Sequence, residues 1–170
     1  MTSAWGRGLA TVTDDDVVLD TWFSEVGLGD DTATETFARY EAAQRRDDLR
    51  GVHIRAVRLT IDTADTPASA IDAYLRLHLL SHRVMRPREQ NLDGVFGLLT
   101  NVAWTNVGPV AVDAVDRVRW AMRSSGSLLT VHGLDKFPRM TDYVVPTGVR
   151  IADADRVRLG AHLAPGTTVM

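Results

Sequence analysis

The chain has 170 residues, of which 45% are hydrophobic and 24% charged, and its formal net charge is −3. These values are typical of a globular protein with one ordinary domain and a short appendage. The charge argues against nucleic-acid binding, and no apolar run approaches the ~18 residues of a transmembrane span. There is no cysteine and no signal-peptide pattern. We therefore expect a cytoplasmic protein with neither a membrane nor a nucleic-acid partner.

The first third of the chain predicts a hairpin, a helix and a strand. Two β-rich runs between Ala4 and Phe23 flank three consecutive aspartates, residues 14–16. An acidic run of this kind suits a metal site less well than a solvated hairpin turn, which we predict. Residues 35–49 have helical spacing, and residues 52–61 alternate apolar and polar side chains as a half-buried strand does.

The next predicted helix begins at Thr66-Pro67 and runs to about Met85. It places His78 and His82 on one face, at the spacing of two metal ligands.

No glutamate follows the first of these histidines and no cysteine is present, so the sequence favours histidines that pack the helix rather than bind metal. Arg83 and Arg86, which follow them, are expected at the surface.

Further along, residues 94–106 predict a buried strand or strand pair, residues 112–123 a helix, and residues 128–132 a strand. The order up to residue 140 is then β-β-α-β-α-β-α-β, which predicts a small mixed α/β domain around one sheet. No dinucleotide fingerprint, Walker motif or nucleophile elbow occurs in it.

The last stretch, residues 145–170 (the tail), has a strict period of six. Neither a helix nor a single strand has this period, whereas a three-sided solenoid does. A second series of small residues lies three positions later, where glycine permits unusual backbone angles. The aliphatic series is Val145, Ile151, Val157, Leu163 and Val169, and the small series is Gly148, Ala154, Gly160 and Gly166.

The period predicts the first coil of a left-handed parallel β-helix of the hexapeptide-repeat kind. We accordingly expect an α/β domain over residues 1–140 and a truncated β-helix over 141–170. A full turn takes about three sixes, and a coil needs neighbours to cover its open ladders. We therefore expect either a longer protein, which is favoured, or a separate cap on the coil.

Four segments of the chain have a distinctive sequence: residues 72–82, 99–106, 135–151 and 152–170, including Asp135-Lys-Phe-Pro-Arg-Met and the Ala152-Asp-Ala-Asp-Arg run. They closely resemble the tetrahydrodipicolinate N-succinyltransferases of the actinobacterial type. The resemblance implies an α/β domain, a left-handed β-helix and a C-terminal domain, assembled as a homotrimer. It also implies transfer of succinyl from succinyl-CoA to L-2-amino-6-oxopimelate, the ring-opened tetrahydrodipicolinate, on the diaminopimelate route to lysine.

The same resemblance implies that the catalytic carboxylate and the groove for CoA lie beyond Met170, so no catalytic residue is assigned here. It associates Asp155 with a magnesium ion on the trimer axis. In the six-residue register Asp155 takes a position that Val149, Ala161 and Thr167 otherwise fill. Two interpretations of Asp155 remain open, namely a metal ligand and an exposed aspartate on an irregular first coil.

A dicarboxylate acceptor requires arginines that bind carboxylates, and Arg139 and Arg150 flank the expected domain junction. Both are candidates for substrate binding, against the alternative of structural salt links. A second functional hypothesis is a non-catalytic domain that assembles a trimeric solenoid. A carbonic-anhydrase-like hexapeptide enzyme is disfavoured, because only His162 lies within the repeat.

Overall fold

A computed structural model describes residues 2–33 and 35–170. Its helices are α1 (Ala38–Ala42), α2 (Ala70–Ser81), α3 (Val95–Leu98) and α4 (Val115–Ser124). Its strands are β1 (Ser3–Thr13), β2 (Val18–Leu28), β3 (Arg45–Asp47), β4 (Val52–Asp62), β5 (Val102–Thr105), β6 (Gly108–Ala111), β7 (Val131–Asp135), β8 (Arg150–Ile151) and β9 (Thr168–Val169). Within the described residues no helix has the length and apolar character to span a bilayer.

The larger sheet has the strand order β2-β1-β4-β3, with every pair antiparallel. The predicted hairpin is confirmed as β1 and β2, and the acidic turn between them contains Asp16 with a φ of 63°. The strand predicted over residues 52–61 is confirmed as β4. The helix predicted over residues 35–49 is shorter than expected, because β3 follows α1 and pairs with β4.

Helix α2 packs on one face of this sheet and is almost entirely buried. It approaches β1 closely at Gly6, where a Cβ atom would lie 2.6 Å from side-chain carbons of Leu75 and Phe23. The predicted start at Thr66-Pro67 is wrong. Ser69 is the N-cap, and its hydroxyl accepts a hydrogen bond from the amide of Asp72 at 3.1 Å.

Arg76 is a fully buried arginine in the middle of α2. Its Nε donates to Asp72 at 2.7 Å, and its terminal nitrogens donate to the carbonyl oxygens of Asp62, Thr63 and Asn91. Because a buried charge requires both a counterion and a full set of hydrogen bonds, these contacts fix α2 against the end of β4 and the loop at Asn91.

The expectation of one sheet is wrong, since a second, three-stranded sheet has the order β6-β5-β7. Residues 94–106 contain the short helix α3 before β5, so the predicted strand begins only at Val102. The predicted helix over 112–123 is confirmed as a 3₁₀ turn followed by α4. Its buried residues Val118 and Met122 pack against this sheet in a small core of their own.

In the tail, β8 and β9 pair in parallel, with Arg150 opposite Thr168 and Ile151 opposite Val169. The partners are eighteen residues apart, which is three of the predicted sixes. Gly148, Gly160 and Gly166 all have positive φ, between 73° and 103°, as expected for the small series. Among the aliphatic residues, Val157 is buried, whereas Val145 departs from the expectation because it is 77% exposed.

We predict that Arg76→Met lowers the free energy of unfolding by about 3–5 kcal/mol, because the substitution leaves the Asp72 carboxylate buried without its counterion. Urea denaturation followed by circular dichroism measures the change. Arg86→Met is the matched control, because Arg86 is exposed and its loss is expected to cost less than about 0.5 kcal/mol. Equal stability of the two variants would contradict the assigned role of Arg76.

Candidate functional site

Two of the three predicted site residues, Arg139 and Asp155, lie in direct contact. Arg139 precedes a 3₁₀ turn over Met140–Asp142, and Asp155 lies within another over Ala154–Arg156. The Nη1 of Arg139 donates to the Asp155 carboxylate at 3.1 Å, and its Nε donates to Asp142 at 3.1 Å. The structure therefore places the predicted substrate ligand and the predicted metal ligand in one ion-pair network.

Asp155 is held in place by the residue two positions before it. The carboxylate of Asp153 accepts a hydrogen bond from the backbone N–H of Asp155 at 3.0 Å and caps the short turn. The Asp155 side chain itself is 64% exposed. Its carboxylate is thus fixed at the backbone yet accessible to a ligand from outside.

The Arg139–Asp155 pair lines a shallow groove of about 200 Å³ between β7 and the tail. On one side Trp104 donates through Nε1 to the carbonyl of Asp135 at 3.0 Å. The Asp135 carboxylate accepts from Arg158 of the tail. The groove is lined by Trp104, His132, Gly133, Leu134, Asp135, Phe137, Arg139, Asp155 and Arg158, so its charges are mixed.

Partial burial lowers the pKa of Arg139, but the ion pairs with Asp142 and Asp155 outweigh this effect, and the pKa is raised above its ordinary value. Arg139 is therefore a permanent cation with both neighbouring carboxylates as counterions. An incoming carboxylate would have to replace one of them.

Arg150 lies elsewhere, on β8, and faces a different groove formed with Ala152, Thr168 and Met170. Its side chain is exposed, and within the described residues no hydrogen bond or ion pair engages its guanidinium. The structure thus does not bring Arg150 together with Arg139.

Of the two histidines, His78 packs the helix as expected, whereas His82 is the C-cap of α2 and is only partly covered. His78 is fully buried, with Nδ1–H donating to the Tyr74 carbonyl at 2.7 Å and Nε2 accepting from the amide of Phe23 at 3.2 Å. Burial lowers the pKa of His78 to about 3 and also lowers the pKa of His82. In the described part of the chain no three His, Cys, Asp or Glu side chains are grouped to hold a metal ion.

The sequence interpretation missed Ser81 and Arg83 at the end of α2. Arg83 was expected at the surface, but its guanidinium donates to Leu163 at 2.6 Å and to Thr147 at 2.7 Å, both through carbonyl oxygens of the tail. Ser81 bonds Gly160 and Ala161. The available signal was the absence of glycine or asparagine where the helix ends.

The sequence of the chain is similar to those of known proteins. Residues 99–139 match the family model described as "Tetrahydrodipicolinate N-succinyltransferase middle". A 2,3,4,5-tetrahydropyridine-2,6-dicarboxylate N-succinyltransferase of Salinispora tropica is 55% identical over 99% of this chain and 56% of its own length. The chain is thus similar, over nearly its whole length, to part of a tetrahydrodipicolinate N-succinyltransferase. A namesake from Pseudomonas aeruginosa is 46% identical over 79% of the chain and 43% of its own length.

The fold also has a solved counterpart. A crystal structure of a putative 2,3,4,5-tetrahydropyridine-2-carboxylate N-succinyltransferase from Campylobacter jejuni superimposes with a TM-score of 0.72 and 22% identity. The match covers 98% of this chain and 56% of that one. The chain thus spans about half the length of the relatives it matches.

The pH dependence of stability tests the state assigned to His78. Its folded pKa of about 3 lies below the unfolded value of about 6.5, so the unfolded state binds more protons between these values. We predict that stability falls as the pH decreases from about 6.5 towards 3, with a slope approaching 1.4 kcal/mol per pH unit for this group.

His78→Gln removes this contribution. The difference in unfolding free energy between the wild-type protein and this variant therefore changes with pH between about 6.5 and 3. Urea titrations at several pH values measure the difference. If the two stability curves run parallel from pH 7 to pH 4, the assignment of a buried neutral imidazole is wrong.

Proposed function

We propose that this chain is the N-terminal part of an enzyme that transfers succinyl from succinyl-CoA to the amine of L-2-amino-6-oxopimelate, in diaminopimelate and lysine biosynthesis. The observation that carries the proposal is the 55% identity to a named N-succinyltransferase over 99% of the chain. Such a biosynthetic enzyme acts on small molecules, and we place it in the cytoplasm.

We further propose that the tail begins a left-handed parallel β-helix of hexapeptide repeats, with an α/β domain over residues 1–140 and the coil over 141–170. The parallel pairing of β8 with β9 at a separation of eighteen residues supports this. A hydrogen bond from the Gly166 amide to the Gly148 carbonyl, at 2.7 Å and the same separation, adds to it. One coil of three sixes predicts both contacts.

The proposed reaction is attack of a neutral amine on a thioester carbonyl. A C–N bond forms, the C–S bond breaks, the amine loses a proton to a general base, and CoA leaves as its thiol. Developing negative charge on the carbonyl oxygen requires hydrogen-bond donors. We propose that the essential carboxylate lies beyond Met170, as the family resemblance implies, and that this chain contributes to binding rather than to the proton transfer.

Within this chain we propose Arg139 and Arg150 as ligands of the acceptor's carboxylates. Arg150 is the more available, because its guanidinium is exposed on β8. Arg139 is 29% exposed and already pairs with two aspartates, so it binds a substrate carboxylate by exchanging Asp155. An arginine offers a carboxylate two parallel hydrogen bonds, which fixes the orientation of the acceptor.

We propose Asp155 as a magnesium ligand in a homotrimer. Magnesium requires about six oxygen ligands, and within the described residues of one chain no three acidic or histidine side chains are grouped to hold a metal ion. The donor set therefore fits only if copies of Asp155 converge from several subunits, with water completing the shell. Bound magnesium would neutralise the converging carboxylates and so hold the subunits together.

The proposal is tested by comparing this chain with a chimera that adds the remaining C-terminal part of the Salinispora tropica relative. A thiol reagent measures CoA release from succinyl-CoA in the presence of L-2-amino-6-oxopimelate. We expect release by the chimera and none by the 170-residue chain. A folded, trimeric chimera without activity would contradict the enzymatic proposal and favour a domain that only assembles a trimeric solenoid.

In the active chimera, Arg139→Ala and Arg150→Ala are each predicted to raise KM for the acceptor about tenfold or more, because a charge-assisted contact to a carboxylate is lost. The KM for succinyl-CoA is expected to stay unchanged. Arg156→Ala, another exposed arginine of the tail, is the matched control. An unchanged acceptor KM would remove the arginine concerned from the site.

A further inference from the structure

Helix α2 ends with an arginine where helices normally have glycine. After the last helical residue, Ser81, the Val84 amide donates to the Leu79 carbonyl at 2.9 Å and the Arg83 amide to Leu80 at 3.0 Å. These two bonds define a Schellman motif, in which the residue directly after the C-cap takes a left-handed conformation. That residue is Arg83, with a φ of 63°. A side chain is strained at this φ and glycine is not, so the contacts of the Arg83 side chain must offset the strain.

Those contacts join two separate passes of the tail. The Nε of Arg83 donates to the carbonyl of Leu163 and its Nη2 donates to the carbonyl of Thr147. Thr147 comes just before the first strand of the parallel pair, and Leu163 shortly before the second. The guanidinium of Arg83 is thus bonded both to the segment before β8 and to the segment before β9.

Helix α2 also bonds the backbone of the tail at Gly160 and Ala161. The Ser81 hydroxyl accepts from the Gly160 amide at 2.9 Å and donates to the Ala161 carbonyl at 3.0 Å. At Gly160 a Cβ atom would lie 2.7 Å from Leu77 of α2.

A short antiparallel bridge joins residues 138–140 to residues 157–159 of the tail. It pairs Arg139 with Arg158, and the Met140 amide donates to the Val157 carbonyl while the Leu159 amide donates to Pro138, each at 2.9 Å. Backbone groups that a preceding coil would otherwise satisfy are therefore bonded by α2 and by residues 138–140.

We propose that the end of α2, through Ser81 and Arg83, together with residues 138–140, is the template on which the tail forms its parallel ladder. The ladder of β8 and β9 is two residues long on each side, far too short to persist by itself. The template fixes both passes of the tail in register and blocks the edge on which another strand would add. This role concerns folding and goes beyond succinyl transfer, so its test needs no activity.

The test is hydrogen–deuterium exchange on the full 170-residue chain carrying Arg83→Gly. Glycine suits the left-handed position, so the end of α2 keeps its protection. The tail loses its guanidinium contacts, and the amides of Arg150, Ala152 and Gly166 are expected to exchange about tenfold faster or more. Ser81→Ala is expected to lower the protection from exchange of the same tail amides, with the largest effect at Gly160.

Arg86→Gly is the matched control, an exposed arginine three residues further on, and is expected to leave tail exchange unchanged. The proposal is overturned if Arg83→Gly leaves tail exchange at the wild-type rate. It is equally overturned if the amides of β1 and β4 speed up as much as those of the tail, since the contacts would then serve overall stability alone.

Discussion

The rest of the structure depends on the hydrogen bonds of helix α2, because a single coil cannot satisfy its own backbone. Arg76 bonds the helix to the end of β4, His78 bonds β2, and Ser81 and Arg83 bond the tail. These contacts come from the second half of the helix and from the residues directly after it. The large sheet, the helix and the tail are thereby fixed relative to one another, and the groove at Arg139 and Asp155 takes its shape from that arrangement.

Polar groups, rather than apolar area alone, set this arrangement. Arg76, His78 and Ser81 are all buried. Arg76 bonds the Asp72 carboxylate and three backbone carbonyls, and the polar side-chain atoms of His78 and Ser81 bond backbone groups. An unpaired group at any of these sites would cost more than a typical surface contact gains. The helix therefore tolerates few alternative positions, which suits an element that joins two parts of the chain.

Local patterns in the sequence predicted the elements that obey simple periods. The β1–β2 hairpin, the strand β4 and the six-residue spacing of the glycines in the tail all follow from such patterns. The pattern did not separate the two sheets, because strand pairing is decided by contacts distant in sequence. It also placed a helix over residues 45–47, where pairing with β4 outweighs helical spacing.

The candidate site was predicted only as separate residues. Asp155 was singled out by the resemblance and the tail register, and Arg139 and Arg150 by the acceptor's carboxylates and their place beside the expected domain junction. The contact between Arg139 and Asp155 depends on how two 3₁₀ turns meet. Arg83 was assigned to the surface because nothing in a sequence shows that a residue after a helix bonds a carbonyl eighty residues away. Its strained position becomes informative only once the tail is seen against it.

The pairing of the tail is the central claim, and a disulfide measures it directly, since the chain contains no cysteine. Arg150 and Thr168 are opposite each other in neighbouring strands, where Cα atoms about 5 Å apart permit a disulfide. Arg150→Cys combined with Thr168→Cys should oxidise readily to an intramolecular disulfide, detected as a mass loss of about 2 Da from the two thiol hydrogens. If that pair stays reduced while Arg150→Cys with Ala164→Cys closes, the eighteen-residue register is wrong.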